Sequence, residues 1–231
     1  MHDHGRLSPF VPGRIWTLRV PLSFYGIPMG ARMTVVRMRG GSLWLHSPVR
    51  LTRELAAELA ALGPVQFVIA PNRLHHLHVA DYVRAYPEAQ LYGSPGLPKK
   101  RPDLPFQGVL ENEPEPEWID EIDQVPIGGS SYLDEVVFLD REAGVLIVAD
   151  LLECATREDP WLYRWAARLA GTYGKPGLTR DQRFLLRDRA AARASIERIL
   201  RWPFDRIVMA HGPLIEFGGK ALFREAFDWL T

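Results

Sequence analysis

Residues 65–82 read VQFVIAPNRLHHLHVADY. The first six positions form an apolar run rich in β-branched residues, which predicts a buried strand. The next twelve place His75, His76 and His78, three of the chain's seven histidines, within four positions. Two readings fit that cluster: a metal site at a strand end, or a polar helix start that is rich in imidazole. Working outward, Leu51, Leu55, Leu59 and Leu62 in LTRELAAELAALG (51–63) recur at helical spacing. Thr52 is placed to cap that helix and Gly63 to stop it. On the other side, VADYVRAY (79–86) predicts a second helix ended near Pro87, and AQLYGSPG (89–96) a strand running into a loop. The stretch is a strand–helix–strand unit with histidines where strand passes into helix.

The bounds on the whole chain limit what those histidines serve. At 231 residues and 47% hydrophobic composition, one domain spanning 1–231 with a substantial core is expected. Lys plus Arg and Asp plus Glu both number 28, so the overall balance offers no electrostatic case for nucleic acid or an anionic membrane surface. A small-molecule partner is the expectation, and oligomeric state is left open. Cys154 is the single cysteine. An intramolecular disulfide and a cysteine-based zinc cluster are therefore excluded, which leaves histidine and carboxylate as metal ligands and fits a cytoplasmic setting. The N-terminal MHDHGRLSPF lacks the apolar core of a signal peptide, and no stretch approaches the roughly 20 apolar residues of a membrane span. Residues 1–12 are expected to be a flexible tail, in which His2 and His4 have no assigned role.

Elsewhere, RMTVVRMRGGSLWLHSPV (32–49) reads as two strands joined through Gly40-Gly41. Residues 98–118, rich in proline and charge, are expected to be a surface loop with few regular elements. DEVVFLD (134–140) and GVLIVADLL (144–152) form a second hairpin, and 155–178 is an aromatic insertion beside the cleft. Trp161, Tyr163, Trp165 and Tyr173 there are read as core ahead of substrate pocket. LTRDQRFLLRDRAAARASIERILRW (178–202) reads as one long helical stretch with an exposed, ion-paired face, followed by a strand to His211 and a C-terminal helix. Lys99, Lys100 and Arg101 read as a solvated loop cluster ahead of a contact for an anionic substrate. His46, His75, His76, Asp150 and His211 all fall just beyond apolar strands, where α/β folds gather ligand-binding groups. No P-loop, GxGxxG or GxSxG motif is present.

In this order, LWLHSPV (43–49), IAPNRLHHLHVADY (69–82), EVVFLDREAGVLIVADLL (135–152) and FDRIVMAHGPLIEFGG (204–219) resemble the opening hairpin, His-rich loop, "GD" strand end and "GHG" strand end of the metallo-β-lactamase fold superfamily. Within it, the chain is similar to a branch known as a domain of unknown function. The resemblance implies an α+β, four-layer αββα sandwich. It also implies a departure from the usual His-x-His-x-Asp-His loop: Asn72 and Leu74, or Pro71 and Arg73, stand at the first two histidine positions. Near Glu135 the superfamily's middle histidine is absent, Ser130, Ser131 and Asp134 being its neighbours. One divalent metal is then implied, held by His75, His76, Asp150 and His211, with His46, Asn72 and Glu135 behind them. Zinc is favoured, iron or manganese are open, and a metal-free chain is the remaining case. Asp150 and His76 are the implied catalytic residues of a metal-dependent hydrolase of a small ester, amide or phosphoester. The alternatives are a non-catalytic binding protein on the same scaffold and, with less weight, an iron oxidoreductase.

Overall fold

The computed structural model describes residues 5–130 and 132–230, so His2, His4 and Ser131 lie outside the described residues. In chain order the strands are β1 (Ser8–Val11), β2 (Ile15–Val20), β3 (Ser23–Phe24), β4 (Ile27–Pro28), β5 (Ala31–Arg37), β6 (Leu43–His46), β7 (Val65–Ala70), β8 (Gln90–Gly93), β9 (Phe106–Val109), β10 (Ile122–Pro126), β11 (Val136–Asp140), β12 (Val145–Glu153) and β13 (Arg206–His211). The helices are α1 (Arg53–Leu62), α2 (Val79–Ala85), α3 (Leu97–Lys100), α4 (Trp161–Ala170), α5 (Arg180–Leu185), α6 (Arg189–Arg201) and α7 (Gly219–Phe227). They fall into two compact units: Met1–Val20 with Ala31–Leu110, and Pro21–Gly30 with Glu111–Thr231. No helix among the described residues is long and apolar enough to cross a membrane.

The first unit is a seven-stranded sheet ordered β1-β2-β5-β6-β7-β8-β9. The hairpin through Gly40-Gly41 pairs Arg37 with Leu43, as the glycines predict. From β6 onward the strands run parallel, with α1, α2 and α3 as the crossovers. Helix α1 forms as its sequence dictates. Thr52 Oγ1 accepts the Leu55 N–H at 3.2 Å, and Leu55 and Leu59 are buried. Gly63 ends it where any Cβ would lie 2.1 Å from the Gly41 carbonyl oxygen, so only glycine permits this approach of turn to hairpin. Two expectations change here. Residues 8–11 are not tail but edge strand β1, where Pro9 is tolerated and Leu7 N–H donates to Glu58 at 2.8 Å. Within 98–118, expected as loop, α3 accommodates Pro98 in its first turn, where the missing N–H needs no partner, and β9 extends the sheet beside β8.

The second unit holds a four-stranded sheet ordered β10-β11-β12-β13, antiparallel except for the β12–β13 pair, and the small β3–β4 ribbon. Val137, Leu139, Leu146, Val148, Ile207 and Met209 of the sheet pack with Ile196 and Ile199 of α6 and Phe223 and Phe227 of α7. Each such fully buried side chain contributes on the order of 1.5–3 kcal/mol. The long helical stretch is two helices. Asp188 leaves helical geometry to accept the Ala191 N–H at 3.0 Å, and the Arg187 N–H turns to the Gly129 carbonyl, so α6 starts afresh. In the aromatic segment Tyr163 and Ala167 are core beside Ala155, whereas Trp161 and Trp165 are 71% and 56% exposed. The expectation of core therefore fails for both tryptophans.

Candidate metal centre

In the first unit, four predicted residues take distinct structural positions. His46 is the last residue of β6, buried opposite Thr34, with its ring stacked on Trp44. Ser47 follows with φ +56°, a left-handed turn uncommon outside glycine, and its Oγ makes a short hydrogen bond with His75 Nδ1. Asn72, fully buried, accepts the Leu74 and His75 backbone N–H groups on Oδ1, both at 2.9 Å. This Asx turn fixes the backbone that carries His75. His76 is also buried, and its Nδ1 lies 3.0 Å from Arg101 Nη1. Burial first, then the charges of Lys100 and Arg101, push its pKa down to about 4. Arg101 is therefore no solvated loop residue. Asp103 grips it through both oxygens at 2.8 and 2.7 Å, and Lys100 donates to the Arg73 carbonyl at 2.6 Å. His78 precedes α2 at its N-cap position, partly exposed and 3.7 Å from Asp81.

In the second unit, Asp150 is not beyond β12 but inside it. The parallel register runs through Val148 opposite Met209 and resumes only at Glu153 opposite His211, so β12 carries extra residues in a bulge around Asp150. A bulge leaves ladder N–H groups without their strand partner, and Glu135 supplies it. Its fully buried carboxylate accepts from Ala149 at 2.8 Å, Asp150 at 2.7 Å and Leu151 at 3.0 Å. The carboxylate expected behind the ligands thus braces the backbone that presents Asp150.

His211 closes β13. Its Nδ1 lies 2.6 Å from the Gly30 carbonyl oxygen, which can only accept, so Nδ1 carries the proton. In the neutral imidazole Nε2 then presents a lone pair, 3.2 Å from Asp150 Oδ1. Two lone pairs at that distance repel unless a proton or a cation lies between them. The spacing suits a shared metal: ligand atoms each about 2.1 Å from one tetrahedral ion are about 3.4 Å apart. The Nδ1–H to carbonyl bond is also the usual outer contact of a metal-bound imidazole. The donor set fits a borderline divalent ion.

Sequence reasoning missed Glu153. In a regular strand, residues three apart face opposite sides, so nothing in ADLLE (149–153) pairs it with Asp150. The bulge sets it opposite His211, and burial raises its pKa well above the usual carboxylate range, with His211 opposing and Asp150 adding to the rise. Gly30 and Arg101 were missed as well. A backbone carbonyl leaves no side-chain signal, and Arg101 lay in a segment that reads as solvated.

A seven-stranded and a four-stranded sheet with parallel crossovers, histidines closing β6 and β13, and a braced aspartate in β12 define a metallo-β-lactamase-like α+β fold. Solved structures bear this out. The metallo-beta-lactamase from Pontibacter korlensis is 13% identical with a TM-score of 0.65, over 97% of this chain and 98% of that one. The mono-zinc form of the metallo-beta-lactamase FIM-1 from Pseudomonas aeruginosa is 13% identical with a TM-score of 0.63, over 97% and 94%. The Flv1 flavodiiron core from Synechocystis sp. PCC6803 is 15% identical with a TM-score of 0.65, over 97% of this chain and 60% of that one. The family model described as Domain of unknown function (DUF4336) matches residues 12–170, and the chain belongs to that family. No curated protein matches the sequence.

Proposed function

We propose that the chain is a hydrolase that uses one divalent metal ion on a small ester, amide or phosphoester in a cytoplasmic setting. The observation that supports this reading is the Asp150–His211 pair, whose Nε2 and Oδ1 stand 3.2 Å apart with the imidazole proton committed to Gly30. The motif order of the superfamily supplies the remaining protein ligand from His75 or His76. Zinc is the ion we favour from a His/carboxylate set, and iron or manganese accept the same donors. A bound ion supplies Lewis-acid polarisation of a carbonyl or phosphoryl oxygen and a water acidified toward neutrality. Asp150, whose backbone Glu135 braces, would orient that water, take its proton and pass it to the departing group. The absence of the superfamily's first loop histidines and of its middle histidine favours one ion over two.

Metal content measured by mass spectrometry on protein purified without a histidine tag tests the reading. One equivalent in the wild type, lost in Asp150→Ala/His211→Ala with circular dichroism unchanged, is the expected result. Two equivalents would sink the single-ion reading. None would sink the metalloenzyme in favour of a binding scaffold. Turnover of β-lactams is expected to be low or undetectable.

A further inference from the structure

His76 was assigned with His75 to the metal, yet the two rings have different neighbours. At His75 the partner of Nδ1 is a hydroxyl, which can either donate or accept, so the ring can adopt the tautomer that leaves Nε2 a lone pair. At His76 the partner is a guanidinium, which only donates. A protonated Nδ1 would set N–H against N–H at 3.0 Å, so Nδ1 must be the acceptor and the proton of the imidazole sits on Nε2. Neither nitrogen then serves a metal: Nδ1 is occupied and Nε2 has no lone pair. Arg101 cannot easily turn away, because Asp103 holds its Nε and Nη2 at 2.8 and 2.7 Å and leaves Nη1 for the ring. The nearby positive charge of Arg101 also repels a divalent ion on the same imidazole.

We propose that His76 is a hydrogen-bond donor and not a metal ligand: Arg101 fixes its Nε2–H tautomer, which leaves the imidazole an N–H to donate and no lone pair for an ion. Arg101 is the positioning residue, and Asp103 holds the guanidinium in place. The tautomer is a property of the first unit alone and does not depend on the hydrolase reading.

Nitrogen-15 correlation spectra of the histidine rings at neutral pH test it, first on metal-stripped protein and then after addition of zinc. The expected His76 pattern is a protonated Nε2 and an unprotonated Nδ1 in both samples, lost in Arg101→Ala and restored in Arg101→Lys, which keeps a donor. Zinc titration of His76→Gln should leave the apparent affinity within about 10-fold of wild type, below the upper range seen when even an outer partner of a ligand is removed. A protonated Nδ1 in the wild type, a pattern unchanged in Arg101→Ala, or loss of the metal equivalent in His76→Gln overturns the proposal. If the wild type takes up no metal the hydrolase reading fails, but the tautomer remains readable and decides the role of Arg101 separately.

Discussion

Glu135 carries three backbone N–H groups on its two oxygens with no exposure to water, so its removal strands three buried donors at once. Each orphaned donor costs about 1–3 kcal/mol. Glu135→Ala should lower unfolding stability by at least about 3 kcal/mol, measured from urea midpoints. Glu135→Gln, which keeps one acceptor oxygen, should fall between it and wild type. Cys154 gives a cleaner pH signature. Burial, then the Asp159 charge, pushes its thiol from 9.0 up to about 11. Between those values the unfolded chain gives up the proton while the folded chain keeps it, so the folded state binds more protons and this residue's contribution to stability falls as pH rises. Cys154→Ala should flatten that part of the stability profile. In native protein at pH 8 iodoacetamide should leave Cys154 unlabelled, whereas the denatured chain should react readily; equal rates would contradict the burial described.

Among the elements, the loop from β7 to α2 and the turn after β13 decide whether the imidazoles are presented correctly. Asn72→Ala removes the acceptor for two N–H groups and should cost about 1 kcal/mol, as the loss of a cap does. Asn72→Asp, which retains the acceptor oxygen, should recover most of that in thermal melts. After β13 the chain must turn at Gly212, where an added Cβ would lie 2.5 Å from Met209 Sδ and 3.1 Å from the Cys154 carbonyl oxygen. Gly212→Ala should therefore displace the backbone beside His211. Zinc affinity should drop by more than about 10-fold, the scale seen when a ligand's support is lost. Helix α6 is a control far from this chemistry. Asp188→Ala should cost about 1 kcal/mol through the lost cap on Ala191 and leave zinc affinity alone.

For the molecule as a whole, an ion held at the proposed site would link metal binding to folding. An ion that binds only the folded chain stabilises it by about 2.7 kcal/mol at a concentration 100 times its dissociation constant. Chelation should lower the melting temperature of the wild type and leave Asp150→Ala/His211→Ala unmoved; a chelator effect on that double variant would separate stabilisation from this site. What the sequence determined by itself was the order of the central elements and the presence of candidate ligands near strand ends, whereas β1, α3, β9 and the break between α5 and α6 were not read from it. Alternating and helical periodicities report one-dimensional burial, and Thr52, Gly63 and Gly40-Gly41 act through their own backbone chemistry. For that reason α1, β7 and the two hairpins were readable, while the class of fold came from the resemblance of the ordered motifs to a known superfamily. The bulge that moves Asp150 inside β12 and brings Glu153 opposite His211 depends on Glu135, fifteen residues from Asp150 in sequence and in contact with it only after folding. The proton positions on His76 and His211 depend on Arg101 and on the Gly30 carbonyl. An imidazole's role is set by what its other nitrogen touches, and only the tertiary structure decides that contact.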